Sequence, residues 1–271
     1  MRVGVGLPNV IPGARSEDLQ EWAIRAESGP FTSIGALHRA SWDVQDPLDA
    51  LELVAAETRT ATLVTMVAVA PLYAEDELAD RAISIHGTSG GRLALGLAVG
   101  ARLEDFEAAG VPAAGRGERF DDQLDDLAFR WRDGGPKVLV GGSADVAFAR
   151  AARAGQGYVH GGGPPRAFAR AAEKARAAWI EAERQGSPEL WGQSYFAMGD
   201  ERTVERGREY MRAYYAFTGP FAERIAEGLL TSPQAIAAQM RGYAEAGCDE
   251  LVMIPALSDP EQVDRLAEAM R

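Results

Sequence analysis

The chain has 271 residues, 46% hydrophobic and 25% charged, which gives it apolar material for a large buried core and excludes intrinsic disorder. A formal charge of -12 excludes a nucleic-acid partner, because a phosphate backbone demands concentrated cationic surface. Cys248 is the only cysteine, no apolar run approaches the roughly 20 residues of a membrane span, and Met1 to Pro8 holds no long apolar stretch, so the expectation is a cytoplasmic address, no disulfide and no membrane partner.

In chain order, short apolar runs predict eight strands: Val3 to Leu7, Phe31 to Leu37, Thr62 to Ala70, Leu93 to Val99, Lys137 to Val140, Gly157 to His160, Ser194 to Met198 and Leu251 to Pro255. Between them lie amphipathic stretches. Ser16, Asp46, Ser232 and Asp259 are their N-cap candidates, the last three followed directly by a proline at the first helical position. After Pro47, the residues Leu48, Leu51, Val54, Ala55 and Thr58 recur at helical spacing and make one apolar stripe. Eightfold alternation without a linker predicts a single domain over residues 1–271, an α/β fold of the (β/α)8 TIM-barrel type rather than an open doubly wound sheet. Two irregularities interrupt the rhythm: a long loop after the fourth strand, residues 100 to 119, and an extra helical insertion after the seventh, residues 199 to 230. In a barrel both belong to the C-terminal face, where sites are built.

Several segments carry candidate chemistry. Gly87 to Gly91 matches G-x-S-x-G, but a nucleophile elbow runs from strand to helix and here the helix comes first, so Ser89 reads as a turn residue. Val138 to Val140 runs into Gly141, Gly142 and Ser143 and then a helix. That order suits an anion at a helix N-terminus, and equally a plain turn capped by Ser143. His38, Arg39 and Trp42 follow the second strand and can reach the barrel mouth. His38 is the leading titratable candidate for proton exchange, a structural hydrogen-bonding role being the other reading. Asn9 after the first strand and His160 at the end of the sixth are further candidate substrate contacts. Cys248 reads as a buried small hydrophobe, no cluster has metal-ligand spacing, and Asp121, Asp122, Asp125 and Asp126 read as a solvated helix face.

Along its whole length the chain resembles the short, single-domain branch of the luciferase-like flavin and deazaflavin enzymes. The likeness rests on the third-strand run, Gly90-Gly91-Arg92-Leu93, Gly100 to Phe106, Arg119 to Leu124, the Val140-Gly141-Gly142 turn, Tyr195 to Asp200 and Ala246 to Leu251. The resemblance implies a cofactor ring at the C-terminal mouth, reduced FMN or alternatively F420, on a non-proline cis peptide placed at Val67-Ala68. It implies phosphate contacts at Gly141, Gly142 and Ser143, with a basic residue near Gly100 in the loop after the fourth strand. Some relatives carry Arg where this chain has Val99, which makes Arg102 the nearest substitute. Where F420-using relatives often carry Asp-His this chain has His38-Arg39, so either residue could take the proton-transfer position. His38, Arg39, Trp42 and His160 would line the substrate side. The implied activity is oxidation of a small organic substrate by O2 and reduced FMN from a separate flavin reductase, in a homodimer. The alternatives are F420-dependent hydride transfer and a non-catalytic, flavin-binding barrel subunit.

Overall fold

Strands that are apolar at nearly every position need cover on both faces, and the chain meets that need by closing its sheet into a ring. In the computed structural model, which describes residues 1–271, the strands are β1 (Arg2–Gly6), β2 (Ser33–Ala36), β3 (Thr62–Thr65), β4 (Ala68–Val69), β5 (Leu93–Ala98), β6 (Lys137–Gly141), β7 (Gly157–His160), β8 (Glu189–Phe196) and β9 (Glu250–Pro255). They are all parallel, running from β3 through β2, β1, β9, β8, β7 and β6 to β5, and β5 pairs with both β3 and β4. β3 and β4 are two halves of one expected strand, so nine segments form the eight staves of a closed barrel. The break between the halves is a non-proline cis peptide at Met66-Val67, one residue before the expected Val67-Ala68.

Alternation sorts the side chains into two layers. Leu63, Val138, Val140, Leu251 and Met253 face the helices, while Val64, Leu139, Trp191, Val252 and Ile254 fill the barrel. The helices are α1 (Ser16–Ser28), α2 (Pro47–Ala55), α3 (Glu75–Thr88), α4 (Leu103–Ala108), α5 (Arg116–Arg130), α6 (Asp145–Ala154), α7 (Pro165–Glu181), α8 (Glu201–Tyr214), α9 (Phe221–Glu227), α10 (Pro233–Glu245) and α11 (Glu261–Ala269). α4 lies within the long connection after β5, and α8 and α9 form the insertion after β8.

Local chemistry explains most of the boundaries. Asp46 caps α2 by accepting the Leu48 N–H at 2.8 Å, and Ser232 caps α10 by accepting the Ala235 N–H at 3.2 Å. Two cap expectations are corrected. Ser16 lies inside α1, because Arg15 takes the N-cap and gives its own N–H to Asp18 at 2.9 Å. Pro260 is the N-cap of α11, with the Asp259 carboxylate accepting from the Glu261 N–H one step outside. Thr58 lies past the end of α2, buried, with its hydroxyl on the Val54 carbonyl at 2.9 Å. β8 begins five residues before the expected Ser194, its start disguised by Glu189, whose charge is met by Lys137. The acidic face of α5 is also more than solvated surface, since Asp121 takes Arg150 at 2.7 Å and Arg153 at 2.9 Å from α6.

Closure depends on close approach at the broken stave. Thr65 donates its hydroxyl to the Gly96 carbonyl at 2.6 Å, and a Cβ at position 96 would collide with the Thr65 carbonyl oxygen. Gly96→Ala is therefore expected to cost about 2–3 kcal/mol of stability through overpacking, read as a lower midpoint in urea unfolding. A loss under about 0.5 kcal/mol would show that this seam yields.

Candidate functional site

The C-terminal ends of the strands and the connections after β5 and β8 enclose a cavity of about 590 Å³. Met66, Val67 and Val69 of the broken stave line one side, and Gln193 and Tyr195 of β8 line the cavity from another stave. Gly141, Gly142, Ser143 and Arg116 border one end, and Tyr214 and Tyr215 close another wall from the end of α8.

The glycine end is shaped for close backbone approach. Gly142 has φ +143°, and a Cβ there would meet the Ala147 Cβ at 2.7 Å; Gly100 has φ +83°, with Val69 Cγ1 at 2.6 Å from the same imagined atom. The Tyr158 hydroxyl donates to the Gly142 carbonyl at 2.6 Å and pins the turn. Ser143 does not cap α6; Ala144 holds that position without a side-chain bond, which leaves the helix N-terminus beside the cavity uncapped by any side chain.

Three arginines border this cavity and differ in how their charge is met. Arg102 donates to Asp105 at 2.8 Å and to the His38 carbonyl at 2.8 Å, and its guanidinium lies 4.9 Å from the Tyr214 ring centre. Although burial opposes its charge, Tyr214 and Asp105 hold its pKa above the ordinary value. Arg150 is bound in two-pronged fashion by Asp121 at 2.9 and 2.7 Å. Arg116 forms no ion pair, its guanidinium bonding only to the carbonyls of Gly100 at 3.3 Å and Ala113 at 3.0 Å. The cation free to meet an anion is thus Arg116, which the sequence reading passed over for Arg102. Its signal was slight: an arginine opening an arginine-containing helix, directly after Gly115.

The His38 segment is arranged differently from its sequence expectation. His38 is buried and lines the cavity, but its Nδ1 accepts the Val69 N–H at 3.1 Å and its Nε2 lies 3.8 Å from Asp46. Burial lowers its pKa against the opposing pull of Asp46 and Asp105, so the ring is neutral at pH 7, with the proton on Nε2. Arg39 does not line the cavity. It is buried behind the wall, bonded to Glu104 and to the Tyr214 carbonyl at 3.2 Å, with Trp42 against its guanidinium at 4.7 Å. Trp42 likewise packs edge-on against Tyr214 and Tyr210, outside the lining. Asn9 is 1% exposed and ties two loops together: its amide donates to the carbonyls of Leu37 at 2.8 Å and Gln45 at 3.0 Å and accepts the Leu37 N–H at 3.1 Å.

Of the remaining candidates, Val67, Gly100, Gly141, Gly142, Ser143 and His160 border the cavity, whereas Ala68 faces the helix layer. Burial lowers the His160 pKa, and its Nε2 has no partner. Cys248 lies in the core away from the cavity, its thiol pushed up to about 12 by burial. Sequence reasoning missed Gln193 and the Tyr214-Tyr215 pair, because inward-facing polar residues in an apolar strand and aromatic residues at a helix end read as ordinary packing.

The His38 bond to β4 makes a testable prediction. His38→Asn keeps a side-chain acceptor for the Val69 N–H and is expected to cost under about 1 kcal/mol, whereas His38→Ala leaves that buried donor unpaired and costs about 1–3 kcal/mol more. Chemical denaturation measures both, and equal stability of the two variants would remove any weight from this bond.

Residues 1–270 match the family described as luciferase-like monooxygenase. An uncharacterized protein of Mycobacterium tuberculosis is 34% identical over 110 residues, a match spanning 32% of this chain and 38% of that protein. Among solved structures, an F420-dependent secondary alcohol dehydrogenase in complex with an F420-acetone adduct aligns with TM-score 0.82 at 14% identity, covering 100% of both chains. A monooxygenase from Streptomyces bottropensis gives TM-score 0.75 at 19% identity, over 100% of this chain and 97% of that one. The FMN complex of the oxygenating constituent of 3,6-diketocamphane monooxygenase, from a Pseudomonas putida plasmid, gives 0.77 at 16%, over 100% and 96%. At these identities the likeness is one of fold.

Proposed function

The chain belongs to the luciferase-like monooxygenase family, and from that premise we propose that it is a flavin-type oxidoreductase, a monooxygenase that takes reduced FMN from a separate reductase and acts with O2 on a small organic substrate. The observation that carries this reading is the cavity's two-sided build. A glycine turn, an uncapped helix N-terminus and the unpaired Arg116 stand at one end, and an apolar and aromatic mouth adjoins them. Those residues fit a phosphorylated planar cofactor. Gly141, Gly142, Ser143 and Arg116 would hold the phosphate, while Val67, Val69 and Gly100 would support the ring. Bound there, reduced FMN supplies the electrons with which O2 is activated.

The chain's own contribution is placement and shielding. Arg102 and Asp105 join the connections after β2 and β5, and the Arg39 bond to the Tyr214 carbonyl brings in the end of α8, so that three loops close on water together. His38 holds β4 beneath the ring in this reading, as a positioning residue. A symmetric pair of chains, packed through helices beside β2 and β3, belongs to the same proposal.

Arg116→Ala tests the phosphate assignment. Loss of one charge-assisted contact is expected to weaken FMN about 10- to 100-fold while leaving riboflavin, which has no phosphate, unchanged. Anaerobic fluorescence titration with FMN, reduced FMN, riboflavin and F420 measures this. Preference for F420 would replace the monooxygenase reading with hydride transfer, and binding of none would leave a non-catalytic barrel.

A further inference from the structure

β8 stands four staves from the broken β3/β4 stave in either direction, directly across the mouth. Gln193 and Tyr195 lie two residues apart on its inward face, and both line the cavity. Gln193 is 5% exposed. Its Nε2 donates to the Gly161 carbonyl at 3.1 Å, which fixes the amide orientation, since the flipped amide would set two oxygens against each other. Its Oε1 is then a buried acceptor with no donor. On the neighbouring strand, the Nε2 of His160 is buried without a partner.

Buried acceptors without donors are rare because each forfeits its hydration without replacement. The Gln193 oxygen and the unpartnered His160 nitrogen border one cavity, and a ligand that brings a donor to the first accounts for it. The surrounding wall is aromatic: the Tyr195 and Tyr215 rings meet edge to face at 5.8 Å with their hydroxyls 3.0 Å apart, and Tyr214 adjoins Tyr195 at 6.4 Å. Charge on this side is already neutralised, because Arg102 is bound by Asp105. An anionic ligand would find no free cation here, and a neutral planar one would find ring surfaces.

We propose that the β8 side of the cavity is the substrate subsite, and that it takes a neutral aromatic molecule bearing a hydroxyl donor, a phenol-type ring, whose O–H is accepted by Gln193 Oε1. This rests on the reading that a flavin-type cofactor occupies the opposite side, over Val67 and Val69. Gln193 is then a specificity-determining residue, and His160 Nε2 is the polar atom open to a second group on larger phenols.

The test compares three probes built on one naphthalene ring by calorimetry on the full chain, with and without FMN: 2-naphthol, 2-methoxynaphthalene, which lacks the donor, and 2-naphthoate, which carries a negative charge. The expected result is 2-naphthol binding at least about 10-fold tighter than either analogue. Gln193→Leu should bring 2-naphthol to the level of 2-methoxynaphthalene while FMN affinity stays within about twofold, which also shows that the variant is folded. Equal binding of 2-naphthol and 2-methoxynaphthalene by the unaltered protein would overturn the proposal without any variant, as would the failure of all three to bind. If Gln193→Leu weakens FMN as much as 2-naphthol, Gln193 belongs to the cofactor and the proposal falls. Discrimination for 2-naphthol in a protein that binds no FMN would leave the phenol subsite standing and remove the flavin reading instead.

Discussion

The mouth of this barrel is organised around one buried carboxylate. Asp105, 2% exposed, accepts Arg102 at 2.8 Å, the Ser41 N–H at 3.0 Å and the Ser41 hydroxyl at 2.7 Å, and Arg39 stands 3.8 Å away. Burial opposes its ionisation, yet Arg102 and Ser41 hold its pKa below the ordinary carboxylate value. A charge taken out of water is tolerated only when its partners arrive with it. The connection after β2, the connection after β5 and the inserted α8 therefore have one joint arrangement rather than three independent ones.

Much of the cavity follows from that arrangement. Arg102, held by Asp105 and by the His38 carbonyl, becomes part of the wall and leaves Arg116 as the cation open to an anion. Arg39, bonded to the Tyr214 carbonyl, draws the end of α8 inward and sets Tyr214 and Tyr215 at the mouth. His38 links the same cluster to the broken stave, because its ring receives the Val69 N–H while its carbonyl receives Arg102. Electrostatics at the rim and backbone geometry at the floor thus meet in one residue.

The candidate site was legible where function depends on backbone shape and obscure where it depends on partners. The Gly141-Gly142-Ser143 turn could be read directly, since a strand, two glycines and a helix start are local features. Arg102 and Arg116 could not be told apart, because what separates them is whether a carboxylate stands within reach after folding. Trp42, Arg39 and Asn9 sit in the right loops and still point away from the cavity, each held by contacts with segments distant in the chain. Gln193 carried no signal at all, because an unsatisfied acceptor exists only by reference to its surroundings.

By itself the sequence determined the alternation of eight staves and their helices, the capping of α2 and α10, and the two long connections on the C-terminal side. These depend on period, on capping chemistry and on proline and glycine, all of which act within a few residues. Tertiary structure alone decided where the third stave breaks, at Met66-Val67, which arginine is left unpaired, and which polar groups face the cavity. The physical reason is the range of the forces. Backbone preference is set by neighbours in sequence, whereas desolvation and charge pairing are set by whatever the closed barrel brings within a few ångströms.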